Sequence, residues 1–123
     1  MALSNRLVLV LIALNGLLAV VCGAFAAHVV SDSAARELLR TGAAYQLAHA
    51  AAAAAVLNRS RWSALLMSIG ALIFATSLYL LALSGWRALG VITPLGGALM
   101  IIGWGVLLGF ALRSPESVIR KSP

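Results

Sequence analysis

Charge is scarce in this chain. Only 10% of its 123 residues are Asp, Glu, Lys or Arg, against roughly 25% in a soluble globular domain, so a soluble fold is excluded. Acids are scarcer still: Asp32, Glu37 and Glu116 are the whole set, and none lies inside a long apolar run. That excludes a small proton-coupled cation exporter, which needs an embedded carboxylate to bind cation and proton in competition. The single cysteine, Cys22, closes no internal disulfide, so a stapled secreted domain is excluded too. Metal chemistry is left with His28 and His49 and no acidic or thiolate partner close by; Cys22 points about 120° away from His28 on a helix. Nucleophile–base–orienter sets and phosphate-cradling glycine loops have no candidate, and no enzyme activity is expected.

Apolar sequence fills the space. Hydrophobic residues make up 63% of the chain and the mean hydropathy is +1.04, which excludes disorder. At about 20 residues per helical crossing, residues 1–123 make one domain of four transmembrane helices in an antiparallel bundle. The predicted spans are 7–30, 43–57, 62–84 and 94–112. Between the first two lies a polar connection, Ser31 to Gly42, whose AARELLR stretch suits a short interfacial helix with Leu38 and Leu39 facing lipid. The second span is alanine-rich and short, about 22 Å at 1.5 Å per residue. Trp62 and Trp86 bracket the third where indoles anchor. Thr93 and Pro94 read as N-cap and first helical residue of the fourth.

The nine basic residues give a formal charge of +6, but they sit singly or in pairs between apolar runs. A nucleic-acid partner would need them clustered on one face, so none is expected. They report orientation instead. With the N-terminus inside, Arg6, Arg59, Arg61, Arg113, Arg120 and Lys121 flank the inner side, and Arg36, Arg40 and Arg87 the outer. Both termini are therefore expected in the cytoplasm. Ala24-Phe25-Ala26 offers a small-x-small cleavage pattern, but the apolar run continues past it, so a span is expected rather than a signal peptide. Cys22 follows Ala19-Val20-Val21, a poor lipid-attachment context, and reads as a buried small hydrophobe.

That orientation sorts the polar residues by depth. His28 ends the first helix on the outer side, where Tyr45, Gln46 and His49 begin the second within one 100° arc. Thr76, Ser77 and Tyr79 lie in the outer half of the third, and Thr93, Gly96 and Gly97 open the fourth. Asn15 and Ser68 are left deeper. The candidate outward pocket is thus His28, Tyr45, Gln46, His49, Tyr79 and Thr93, with the two histidines sharing it beside the fourth helix's N-terminus. Helix packing is assigned to Asn15, Gly23, Ser68, Ala71, Ala75 and Gly97, with Gly105-x-x-x-Gly109 as a close-approach pattern, between subunits or within one.

The same segments carry a resemblance. GAFAAH (Gly23 to His28), TGAAYQLAHA (Thr41 to Ala50), SLYLLAL (Ser77 to Leu83), ITPLGG (Ile92 to Gly97) and Gly103-Trp104 resemble, in order and over nearly the whole chain, the YgdD-like family. These are small bacterial inner-membrane proteins grouped as domain of unknown function four-two-three. The resemblance implies a four-helix membrane protein in the inner membrane and brings no activity with it. Two departures concern helix approach: Ala26 stands where the family more often has glycine, and Ala75-Thr76 replaces a more usual Ser-Gly pair.

Two functional readings follow. In the first, the polar cluster is interhelical glue in a non-catalytic membrane component that forms a homo-oligomer or binds other membrane proteins. In the second, it lines an outward-facing pocket of a small transporter, channel or lipid-binding protein whose ligand is unknown. No cofactor is expected; a bis-histidine haem on His28 and His49 is disfavoured by a depth difference of about 6 Å. Pocket hydration separates the readings, because groups paired with one another leave nothing for a ligand.

Overall fold

A computed structural model describes residues 4–116 and Arg120. The described residues form four long helices: α1 (Asn5–His28), α2 (Ser33–Val56), α3 (Arg61–Ser84) and α4 (Thr93–Arg113), with a 3-10 turn at Arg87–Val91 ahead of α4. Each boundary has a local cause. Ser4, Asp32 and Ser60 accept backbone N–H bonds from Leu7, Ala35 and Ser63 and so cap the first three helices. The end of α1 is clamped by Arg36, whose guanidinium donates twice to the Val30 carbonyl at 2.8 and 3.1 Å. Gly85 ends α3 with φ 71°, a left-handed conformation that glycine adopts without steric cost.

The helices run antiparallel in sequence order. Contacts are extensive between α1 and α2, α2 and α3, and α3 and α4, and sparser between α1 and α3. Helix α3 is thus the hub, packed most extensively against α2 and α4. Among the described residues, three stretches are long and apolar enough to cross a membrane: Asn5–His28, Arg61–Ser84 and Arg87–Arg113. Helix α2 matches α1 and α3 in length, at 24 residues, but carries Arg36, Glu37, Arg40, Gln46 and His49.

Two expectations are corrected here. The AARELLR stretch is not a separate interfacial helix: it forms the first turns of α2, which runs unbroken from Ser33. The Thr41-Gly42 pair does not interrupt it, because a glycine costs a helix only about 1 kcal/mol and this one lets the Tyr79 ring approach. A Cβ on Gly42 would lie 2.8 Å from Tyr79 Cε1. Leu39 accordingly faces the core, 1% exposed, with Ala26, Ala75 and Tyr79. The other correction is at α4. Ile92 is its N-cap and no side chain caps it; the Thr93 hydroxyl is turned toward α3.

The interior is layered. Near the Asn5 end of α1, Val8, Ile12, Ala50, Ala53, Leu57, Ala64 and Met67 form one apolar cluster. Toward the opposite end, Ala26, Leu39, Ala75 and Tyr79 form a second. The methyl groups of Ala26 and Ala75 are both fully buried there.

Candidate functional site

A polar layer joins the two apolar clusters. Asn15 and Gln46 are both 0% exposed. The Asn15 amide donates to the Ser68 carbonyl of α3 at 3.0 Å and to Leu11 of its own helix at 3.2 Å. Its Oδ1 accepts from Gln46 Nε2 at 2.9 Å, and Gln46 Oε1 accepts from the Tyr79 hydroxyl at 2.7 Å. The relay therefore leaves α3, passes through α1 and α2, and returns to α3. The Ser68 hydroxyl stays within its helix, donating to the Ala64 carbonyl at 2.7 Å. Among the described residues, every buried side-chain nitrogen or oxygen has a partner.

The sequence reading placed Asn15 and Ser68 apart from Gln46, and the length of α2 explains the difference. With the helix starting at Ser33, Gln46 lies thirteen residues beyond its start, just as Asn15 lies thirteen before the end of α1 at His28. The two amides consequently share one level of the bundle.

His49 belongs to a different place. Trp104 of α4 donates its indole N–H to His49 Nε2 at 3.0 Å. That bond makes Nε2 the acceptor, so Nδ1 carries the proton and donates to the Tyr45 carbonyl at 2.8 Å. The imidazole is 8% exposed and both nitrogens are committed. Beside it, the Tyr45 ring stacks toward His49 at 6.3 Å and tilts against Phe74 at 5.1 Å. These rings border a groove of about 500 Å³ that includes Thr41, Gly97 and Met100. Tyr45 itself is 50% exposed.

The remaining candidates are scattered. Thr93 shares a 2.6 Å hydrogen bond with Ser77, tying the start of α4 to α3. His28 is the last residue of α1 and is exposed. The expected single pocket of His28, Tyr45, Gln46, His49, Tyr79 and Thr93 is therefore split. Gln46 and Tyr79 join Asn15, Tyr45 and His49 face α4, Thr93 joins Ser77, and His28 stands apart. The physical reason is rotation: Gln46 follows Tyr45 by 100°, enough to turn it from the α4 side to the α1 side. Among the described residues, no three His, Cys, Asp or Glu side chains come together.

Packing glycines are likewise redistributed. Ala71 and Ala75 are 0% exposed on α3. Between α3 and α4, however, the close approach is made by Gly70, Gly96 and Gly103. A Cβ on Gly70 would lie 2.8 Å from the Gly96 carbonyl oxygen, one on Gly103 2.9 Å from Met67 Cγ, and one on Gly96 would overlap the Phe74 backbone nitrogen. Gly23 and Gly97 have ordinary clearance, 3.6 Å to Ala43 and 4.0 Å to Phe74, and Gly105 and Gly109 face open space. The sequence reading missed Gly70, Gly103 and Trp104. Only Gly103-Trp104 carried a signal, as a family motif without a role.

Comparisons with known proteins identify a family. A family model described as "Protein of unknown function (DUF423)" matches residues 22–97. The "UPF0382 inner membrane protein YgdD" of Escherichia coli K12 is 36% identical over 122 residues, covering 90% of this chain and 93% of the relative. A "UPF0382 membrane protein" of Haemophilus influenzae is 42% identical over 106 residues, covering 78% and 86%. One from Staphylococcus epidermidis is 36% identical over 113 residues, covering 84% and 93%. No solved structure matches. With the family model spanning more than half the chain and these relatives covered over most of their length, the chain belongs to the DUF423 family of UPF0382 membrane proteins.

Proposed function

We propose that this protein is a non-catalytic component of the bacterial inner membrane that assembles with copies of itself or with other membrane proteins. Its polar layer then serves as internal glue. The observation that carries this reading is the closed relay of Asn15, Gln46 and Tyr79, whose buried polar atoms are paired with protein partners. An outward ligand pocket draws less support, because its residues divide among separate contacts. The reading includes no cofactor: His49 has both ring nitrogens engaged, and His28 lies exposed at the end of another helix.

Four crossings and cytoplasmic termini belong to the same reading. Helix α2 is the fourth span in this reading because Gln46 and His49 turn inward, while Glu37 and Arg40 are exposed toward its start. Between 44 and 55 its exposed positions are Ala44, Tyr45, Leu47, Ala48, Ala51, Ala54 and Ala55, a surface compatible with lipid. Orientation rests on Arg6, Arg59, Arg61 and Arg113 gathering at one end of the bundle. Native mass spectrometry from a mild detergent tests the assembly, with a discrete oligomer or a defined membrane-protein complex expected. A monomer retaining a small polar ligand that His49→Ala releases would overturn it. A C-terminal reporter active only outside the cytoplasm would overturn the orientation.

A further inference from the structure

We propose that the groove between the start of α3 and the end of α4 binds one anionic glycerophospholipid, its phosphate against Arg113 and an acyl chain along Gly105 and Gly109. This goes beyond the assembly reading and does not depend on it. The groove measures about 780 Å³ and is bordered by Ser60, Trp62, Ile102, Gly105, Gly109 and Arg113. Its floor is open because two side chains are missing. A Cβ at Gly105 or Gly109 would meet nothing within 4 Å, whereas Gly70, Gly96 and Gly103 are needed where α3 and α4 touch.

Chemistry is graded along this groove. Arg113 and Trp62, itself 68% exposed, stand at the mouth beside Ser60, whose hydroxyl is held by Ser63. From there to Ile102 the lining is glycine and apolar side chains over about 16 Å of α4, close to the roughly 15 Å of one leaflet's hydrocarbon. A second recess past Trp62 adds Arg59 and Arg61. Charge at this end is unbalanced. The nearby acid among the described residues, Glu116, is paired with Arg120 at 3.4 Å. Arg61 also opens α3 in a first turn without an acid, where the helix dipole is already positive. An arginine there gains nothing from its own helix and is complemented by an anion. A cationic mouth above a leaflet-length apolar trough fits an amphiphile with an anionic head.

The test uses the full-length protein in neutral detergent, titrated with phosphatidylglycerol or phosphatidylcholine of identical chains and read by native mass spectrometry. One phosphatidylglycerol should be retained about fivefold more strongly than phosphatidylcholine, the selectivity of one arginine near the lipid surface. Arg113→Gln should remove that preference. Gly109→Leu, and separately Gly105→Leu, should exclude the lipid while thermal stability stays at the parental value, since each side chain enters the open trough. Arg87→Gln, at the other end of the bundle, should change nothing. Equal retention of the two lipids would overturn the proposal, as would Arg113→Gln and Gly109→Leu variants that keep the preference. So would full competition by inorganic phosphate, or a dimer on this face that binds no lipid and dissociates with Gly109→Leu.

Discussion

Replacing Gln46 with leucine probes the polar layer at its centre. The substitution roughly preserves volume and removes two hydrogen bonds, the one donated to Asn15 at 2.9 Å and the one accepted from Tyr79 at 2.7 Å. Asn15 keeps its bonds to Ser68 and Leu11, so α1 stays fastened to α3 and the fold survives. Side-chain hydrogen bonds within membranes contribute about 0.6 kcal/mol on average and up to about 1.7. Two of them lost together give about 1–3 kcal/mol, and the buried Asn15 oxygen and Tyr79 hydroxyl left behind place the outcome in the upper half. Tyr79→Phe alone breaks one bond and orphans Gln46 Oε1, for about 1 kcal/mol. The decisive quantity is the coupling between them. In the Gln46→Leu background, Tyr79→Phe deletes a hydroxyl that no longer has its partner and should cost nothing or restore stability. The four proteins of the cycle can be compared by reversible unfolding in mixed micelles. If Tyr79→Phe costs the same in both backgrounds, the relay is not a unit and the glue reading loses its basis.

Five further substitutions examine other contacts by the same unfolding measurement. Ala71→Leu and Ala75→Leu should each destabilise by roughly 1–3 kcal/mol, because both methyl groups are fully buried on α3 and overpacking displaces neighbours; parental stability in both would place that face toward lipid. Gly96→Ala should cost about 3 kcal/mol, since its Cβ meets the Phe74 backbone and the gain of up to 1 kcal/mol in helix propensity is too small to offset it. Gly105→Ala, in open space, should be neutral or stabilising by up to about 1 kcal/mol. Trp104→Phe should cost about 1 kcal/mol by leaving His49 Nε2 without its donor, and an unchanged midpoint would show the indole bond to be dispensable.

How much of this was legible depended on whether the signal was local. Hydropathy runs located α1, α3 and α4 to within a few residues, because a membrane-length apolar helix is written into consecutive positions. Helix α2 was misjudged because hydropathy and helicity part company there. Ala34 to Arg40 is polar enough to read as a connection, yet it consists of good helix formers behind an Asp32 cap. That one boundary moved Gln46 to the wrong depth and concealed its meeting with Asn15. Ser68, Ala71 and Ala75 on α3 were legible because they follow one another at three and four residues. Which glycines mediate contact was not, since Gly70 and Gly96 matter only through each other, and neither helix alone records its partner.

The partition of the polar residues also bears on what kind of membrane protein this is. A transport path needs polar groups that exchange partners, so at least some must be under-satisfied or wet. Here Asn15 and Gln46 are sealed between two apolar clusters, and each bond they make joins different helices or braces one. Such an arrangement rewards a single geometry, because sliding α2 by one residue would break two bonds at once and leave their partners buried. The groups that remain accessible lie at the edges: Tyr45 beside the α2–α4 groove, and Arg113 with Trp62 at the mouth of the α3–α4 groove. The interior fixes the register of the helices, while the grooves leave accessible surface along the edges of the bundle.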